Sequence, residues 1–152
     1  MSDALEGLYG SPEFLIRRAH QIASAVFAEA CAGLDLTPAQ YAALYALRQR
    51  SPLGQNELGR LIALDRATTS MVVRLLRERG LVAAADDAQD RRRSLLSLTT
   101  QGRLLLARAE KKCSRSSEEL LSVFNQRQAA TFLELLDLLA SAHRPGPSPA
   151  PQ

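Results

Sequence analysis

Arginine and small hydroxyl residues supply most of the chemistry this chain could do. Eight arginines lie between Arg60 and Arg93 against five acids, although the 152-residue chain carries a formal net charge of only +3. Seventeen of the nineteen basic residues are Arg, and the two lysines are Lys111 and Lys112. A guanidinium makes forked hydrogen bonds to phosphate and to the guanine edge, while Thr and Ser hydroxyls can bond any base edge. Two clusters carry these groups. One is Arg66-Ala67-Thr68-Thr69-Ser70, with Arg74 a turn further on. The other is Asp87-x-x-Asp90-Arg91-Arg92-Arg93. A locally basic segment in a near-neutral chain points to a bounded nucleic-acid surface. The competing interpretation is a solvated, arginine-rich exterior.

Catalytic chemistry has no such foothold. There is no Cys-x-x-Cys, no His-Glu-x-x-His, no phosphate-cradling glycine loop and no Gly-x-Ser-x-Gly. The two cysteines, Cys31 and Cys113, make neither a metal-ligand spacing nor a disulfide framework. No catalytic residue, metal or cofactor is therefore expected, and the chain does not read as an enzyme. No apolar run reaches the roughly 18 residues of a membrane span. The segment Met1 to Tyr9 carries Asp3 and Glu6 and no basic residue, the wrong charge for a targeting signal. A cytoplasmic protein that makes no membrane contact is expected.

The elements that must position the two clusters follow from periodicity and caps. A first helix is predicted from Ser11 to Cys31, with Ser11 as N-cap, Pro12 in the first turn and Gly33 after its end. Its apolar stripe is Leu15, Ala19, Ile22, Val26 and Ala30, widened by Ile16, Ala23 and Phe27. So broad a stripe implies more than one packing partner. Thr37-Pro38-Ala39-Gln40 announces a second helix with a capping box, broken at Ser51-Pro52-Leu53-Gly54. A short third helix, about Gln55 to Ala63, turns Leu58, Leu61 and Ile62 inward. After a three-residue break Asp65 caps a fourth helix, Arg66 to Arg79, stopped by Gly80. There Val72, Leu75 and Leu76 can face a core, leaving Arg66, Thr68, Thr69, Ser70 and Arg74 outward.

The period then changes from helical to alternating. Leu81 to Ala85 and Ser94 to Leu98 read as two short strands around a charged tip, a β-hairpin whose aspartates tie the loop by local hydrogen bonds. Alanine is a poor strand former, so the first strand is the weaker of the two. Thr99 or Thr100 caps a long helix to about Phe124. A last helix, Gln126 to His143, carries Phe132, Leu135, Leu136, Leu138 and Leu139. The tail 144–152 holds four prolines and is expected to be disordered. The predicted fold is mainly α with a small β-hairpin wing: a winged helix-turn-helix over 34–99, plus a helical dimerisation region over 11–33 and 100–143. In such a motif the second helix offers its N-terminal residues to base edges while the first braces it across the backbone. The DNA-contact candidates are Gln55, Arg66, Thr68, Thr69, Ser70, Arg74, Arg91, Arg92 and Arg93.

From about Phe14 to His143 the sequence resembles the MarR family of bacterial regulators. The resemblance is carried by Leu64-Asp65-Arg66-Ala67-Thr68-Thr69, Leu75-Leu76-Arg77-Glu78-Arg79-Gly80-Leu81-Val82, the Asp87-x-x-Asp90-x-Arg92 wing and Leu98-Thr99-x-x-Gly102. Two departures stand out. Gln89 occupies the place of the first Arg in the family's Asp-x-Arg-Asp-x-Arg wing, and Arg74-Leu75-Leu76 stands where the family often has Asp-Arg-Leu. The family's usual salt-bridge tie between helix and wing is thereby put in question, and Arg74 adds positive charge towards DNA. The resemblance implies a homodimer whose first helix and last two helices intertwine about a two-fold axis, bound to double-stranded DNA at a palindromic operator. The Phe132 to Leu139 stripe independently requires a partner.

In this family small aromatic acids bind between the dimer helices and the winged domain. Arg17, Arg18 and His20 on the first helix and Tyr41 and Tyr45 on the second could together hold an aromatic carboxylate. Each also has an ordinary packing or solvent role open to it. The first-helix segment Leu15 to Ile22, the Leu36 to Tyr41 segment and the Leu64 to Thr69 segment look like the branch controlling aromatic-acid catabolism. Repressors of nicotinate degradation that respond to 6-hydroxynicotinate look nearest, and repressors of hydroxycinnamate degradation next. The rival is a cysteine-based redox sensor. Cys31 sits at the negative end of its helix, which raises a thiol's pKa, and Cys113 lies between Lys112 and Arg115, a more activating setting.

Overall fold

The computed structural model describes residues 4–143, so the tail expected over 144–152 lies outside the described residues. The order is α1 (Glu6–Tyr9), α2 (Pro12–Ala30), α3 (Pro38–Gln49), β1 (Leu53–Gly54), α4 (Gln55–Leu61), α5 (Arg66–Glu78), β2 (Val82–Asp86), β3 (Ser94–Leu98), α6 (Thr100–Leu121) and α7 (Gln126–Ala142). Among the described residues no helix is long and apolar enough to cross a membrane.

Local chemistry places the helix starts. The Ser11 hydroxyl accepts from the Phe14 amide, the Asp65 carboxylate from the Thr68 amide and the Thr99 hydroxyl from the Gly102 amide. Thr37 and Gln40 form a reciprocal capping box, at 3.1 and 3.2 Å. The end of α5 is equally local. Gly80 takes φ +69°, the Leu81 amide donates to the Leu76 carbonyl and the Gly80 amide to the Arg77 carbonyl. That pair of bonds satisfies carbonyls the helix would leave orphaned.

Two elements were not anticipated. α1 is a single turn before α2. β1 is only Leu53–Gly54, and it pairs with β3 to make a three-stranded antiparallel sheet in the order β1-β3-β2. The alanine-rich strand does form, as Val82–Asp86, because all five residues pair with β3 from Val82↔Leu98 to Asp86↔Ser94. Cross-strand pairing outweighs the low strand propensity of alanine.

The core gathers Leu44 and Leu47 of α3, Leu58 of α4, Val72, Val73 and Leu76 of α5, Leu96 and Leu98 of β3, and Leu106 and Ala109 of α6. α6 thus enters the same core as the winged elements. Two inward assignments change. Leu61 faces solvent at 44% exposure, and Val73 rather than Leu75 joins Val72 and Leu76. As expected, Leu58 of α4 is fully buried, and Ile62 at the helix end packs half-buried against the edge of the core.

α2 packs against α6 and α3, yet neither α2 nor α7 has a buried residue. Leu133, Leu135, Leu136, Leu138 and Leu139 of α7 and Leu15, Ile16 and Ile22 of α2 are all exposed. A bidentate ion pair at 2.6 and 2.7 Å joins Arg48 of α3 to Glu110 of α6 and holds the Glu110 carboxyl below the usual range. The Arg79 guanidinium bonds the Leu34 and Asp35 carbonyls, pinning the end of α5 to the α2–α3 loop.

Candidate nucleic-acid interface

Helices α4 and α5 form the helix-turn-helix, and Asp65 organises its second half. One carboxylate oxygen accepts the Thr68 amide at 2.7 Å and the other the Thr68 hydroxyl at 2.9 Å. These bonds hold the Asp65 carboxyl below its ordinary range. The Thr69 hydroxyl donates to the Asp65 carbonyl at 2.7 Å, and Thr69 is only 2% exposed. The outward placement expected of Thr69 is therefore corrected: at helical spacing it shares a face with Val72, Val73 and Leu76 and packs beneath α4. Thr68 is half-buried, with its hydroxyl committed to Asp65. Arg66, Ser70 and Arg74 are exposed as expected.

Arg74 reaches Glu78 at 3.0 Å along its own helix. That pair is highly exposed, so it contributes little stability and leaves the guanidinium free to exchange partners. No ion pair links α5 to the wing among the described residues. A groove of about 630 Å³ runs between α5 and β2, bordered by Gln55, Ser70, Arg74 and Arg77. Arg77 was missed from the sequence, although it lies seven residues after Ser70 and so on the same helical face.

The wing loop is built by its aspartates, as expected. Asp87 accepts the Gln89 amide at 2.9 Å and Asp90 the Arg92 amide at 3.0 Å. The Asp87 amide and Arg93 carbonyl close the loop at 3.0 Å. Arg91, Arg92 and Arg93 are exposed. Gln55, at the start of α4, borders the α5–β2 groove with Ser70 and Arg74, a second groove with Arg66, and a third with Arg92 and Arg93. The outward candidates other than Arg91 thus border grooves that meet at Gln55. A surface of guanidinium groups, a hydroxyl and an amide, without a reactive nucleophile, can bind and read a polyanion.

The five ligand candidates fall into two groups. Arg17, Arg18 and His20 are exposed on α2, where the Arg17 guanidinium lies 5.2 Å from the centre of the Phe14 ring. Tyr41 and Tyr45 lie on α3. The Tyr41 ring sits 5.8 Å from Phe27 and 6.2 Å from Tyr45, and Arg48 covers Tyr45 at 5.0 Å. No hydrogen bond, ion pair or ring contact joins the two groups among the described residues. Phe27 stands two turns beyond His20 on α2, about 10 Å along the axis.

The surroundings of Cys113 differ from those expected of a thiol between Lys112 and Arg115. Its neighbours in space are Cys31 and the Tyr41 hydroxyl, not the cations beside it in sequence. Burial, then Cys31, pushes the thiol up to about 11. Lys112 and Arg115 turn to a different face of α6, lining a surface groove with Arg108 and Lys111. Cys31 is buried.

The sequence model of the MarR family matches residues 34–93. The chain is 36% identical to the HTH-type transcriptional repressor NicR of Pseudomonas putida over 123 residues, 80% of this chain and 77% of that protein. Its structure superposes with a TM-score of 0.83 on the PcaV transcriptional regulator of Streptomyces coelicolor in complex with its natural ligand, at 33% identity over 89% of this chain and 95% of that one. It also superposes on BpsR of Bordetella bronchiseptica, whose DNA binding is regulated by 6-hydroxynicotinic acid. There the TM-score is 0.82, with 28% identity over 87% and 94% of the two chains. These relatives are regulators, not enzymes.

Proposed function

The chain belongs to the MarR family of transcriptional regulators, and on that premise we propose that it is a homodimeric repressor of a palindromic operator, released by a small aromatic carboxylic acid such as 6-hydroxynicotinate. The observation that carries the DNA-binding part is the meeting of three arginine-bearing grooves at Gln55. Ser70 and Arg74 lie at the recognition helix, and Arg91, Arg92 and Arg93 reach phosphate or a narrow minor groove from the wing.

The unpartnered leucines of α7 and the exposed stripe of α2 favour the dimer, since a contiguous apolar surface of that size is a liability in a monomer. Regions 11–33 and 100–143 would form its interface and 34–99 the DNA-binding head. Similarity to NicR and BpsR supports the aromatic acid. Arg17, Arg18 or His20 would pair with the carboxylate while Tyr41 and Tyr45 flank the ring. α3 bears both tyrosines and packs against α5 and α6, so an effector there would act on the recognition helix and the dimer helices together.

Two recognition helices must sit about 34 Å apart to enter successive major grooves. An effector that favours another spacing lowers DNA affinity by its differential affinity for the two states, about 1–3 kcal/mol for a useful switch. By reciprocity, operator DNA weakens effector binding by the same factor. The test is DNA retardation with the intergenic region beside the gene, with and without 6-hydroxynicotinate and other aromatic acids. The expected result is a shifted band that the acid dissolves, and that His20→Ala retains in the presence of acid. A His20→Ala protein released at the wild-type acid concentration would place the sensor elsewhere.

A further inference from the structure

Helix α4 lies between the start of the recognition helix and the wing, and a groove runs along each side of it. The groove towards α5 has a volume of about 270 Å³ and is bordered by Asn56, Arg60 and Arg66. The groove towards the wing, about 610 Å³, is bordered by Asn56, Arg60, Arg92 and Arg93. Asn56 and Arg60 belong to both, and both are exposed. Arg60 makes no ion pair among the described residues. Cationic groups therefore follow one another across the helix in the order Arg66, Arg60, then Arg92 and Arg93.

Arg93 closely approaches the backbone in this row. Its guanidinium lies over Gly54, where an added Cβ would stand 2.9 Å from a terminal nitrogen. A side chain at position 54 would require the guanidinium to shift. One acid, Glu57, also borders the wing-side groove.

We propose that this row is a track for one DNA strand, in which Arg60 binds a backbone phosphate and the Asn56 side-chain amide donates to the same strand. The proposal rests on the chain being a DNA-binding regulator and is independent of any effector. Phosphate is favoured over base edges because the first helix of a helix-turn-helix crosses the backbone, while base edges are reached by the second helix. A guanidinium with no carboxylate partner is suited to bind phosphate through two parallel bonds. Arg60 would fix the register of the head on the duplex, and Arg66 and the wing arginines would grip the phosphates on either side. Such contacts position the protein and carry no base information.

The test uses the full-length protein with two probes, the intergenic DNA beside its gene and a mixed-sequence duplex, titrated across sodium chloride concentration. Arg60→Gln is expected to weaken both probes roughly tenfold or more at 0.1 M salt, and to flatten the log–log salt slope by about 2 for the two half-sites together. Its circular-dichroism melt is expected to match wild type, because the side chain is exposed. Arg60→Lys should keep most of the slope, and Glu57→Gln should tighten both probes. A wild-type slope and affinity in Arg60→Gln overturns the track alone. Wild-type protein with no salt-dependent DNA binding overturns the track and the DNA-binding reading together. Stabilisation of wild type, but not Arg60→Gln, by inorganic phosphate, with DNA affinity unchanged in the variant, would make the groove a free-anion site and likewise overturn the track.

Discussion

Gly59 of α4 and Thr69 of α5 approach so closely that a Cβ built on Gly59 would lie 2.7 Å from the Thr69 hydroxyl oxygen and 3.4 Å from its Cβ. The hydroxyl cannot swing away without giving up its bond to the Asp65 carbonyl. The two helices of the DNA-reading motif are thus locked at the crossing by a missing side chain on one and a buried threonine on the other.

Gly59→Ala is therefore expected to destabilise. Alanine gains up to about 1 kcal/mol of helix propensity over glycine, but overpacking a tight site costs about 1–3 kcal/mol. The steric cost wins here, since the carbonyl of Leu64 also lies 3.3 Å from the new Cβ. Thermal melting and DNA retardation should show a lower midpoint and weaker binding to every sequence. An unchanged or raised midpoint would mean that the helices can slide apart cheaply.

Three neighbouring substitutions should separate stability, readout and positioning. Thr69→Ala leaves the crossing with one hydrogen bond fewer, so it should cost about 1 kcal/mol of stability and leave base preference unchanged. Ser70→Ala should shift base preference by about 1–3 kcal/mol if a good base contact is lost. Arg92→Ala should weaken operator and random DNA alike. Binding isotherms on both DNAs, beside denaturant melts, check all three. A changed base preference in Thr69→Ala would contradict its burial.

Leu135→Glu combined with Leu139→Glu should monomerise or unfold the protein, because each leucine would lose burial worth about 2 kcal/mol in the proposed dimer. Sedimentation of wild type is the control. A folded wild-type monomer would remove the reason for the exposed α7 stripe.

Cys113 sets a pH limit on the fold. Its thiol is raised to about 11 while an unfolded cysteine ionises near about 8.5. Below the unfolded value the neutral thiol contributes its full stability, and that contribution is lost as pH rises towards 11. Melting midpoints should fall across this alkaline window, with a smaller fall in Cys113→Ala. Iodoacetamide should label Cys113 slowly at pH 7. Rapid labelling there would restore the redox sensor as a serious reading.

Much of this protein is decided within a few residues of chain. Ser11, Thr37, Asp65 and Thr99 each bond an amide three residues ahead, so the sequence alone places four helix starts. Asp87 and Asp90 shape the wing over two residues each, and Gly80 ends the recognition helix in its own turn. The winged motif and its MarR resemblance were legible for that reason. Contacts across many residues were not. A two-residue strand such as Leu53–Gly54 has no period to detect and exists only because β3 offers it a partner. Thr69 reads as a groove contact until Gly59 is seen to cover it. Cys31 and Cys113, 82 positions apart in the sequence, meet only because α2 packs on α6, and burial then reverses the reactivity suggested by Lys112 and Arg115. Arg60 is one exposed arginine among many until two grooves converge on it. In each case the tertiary structure decides, because the environment of a side chain is set by what packs against it from distant parts of the chain.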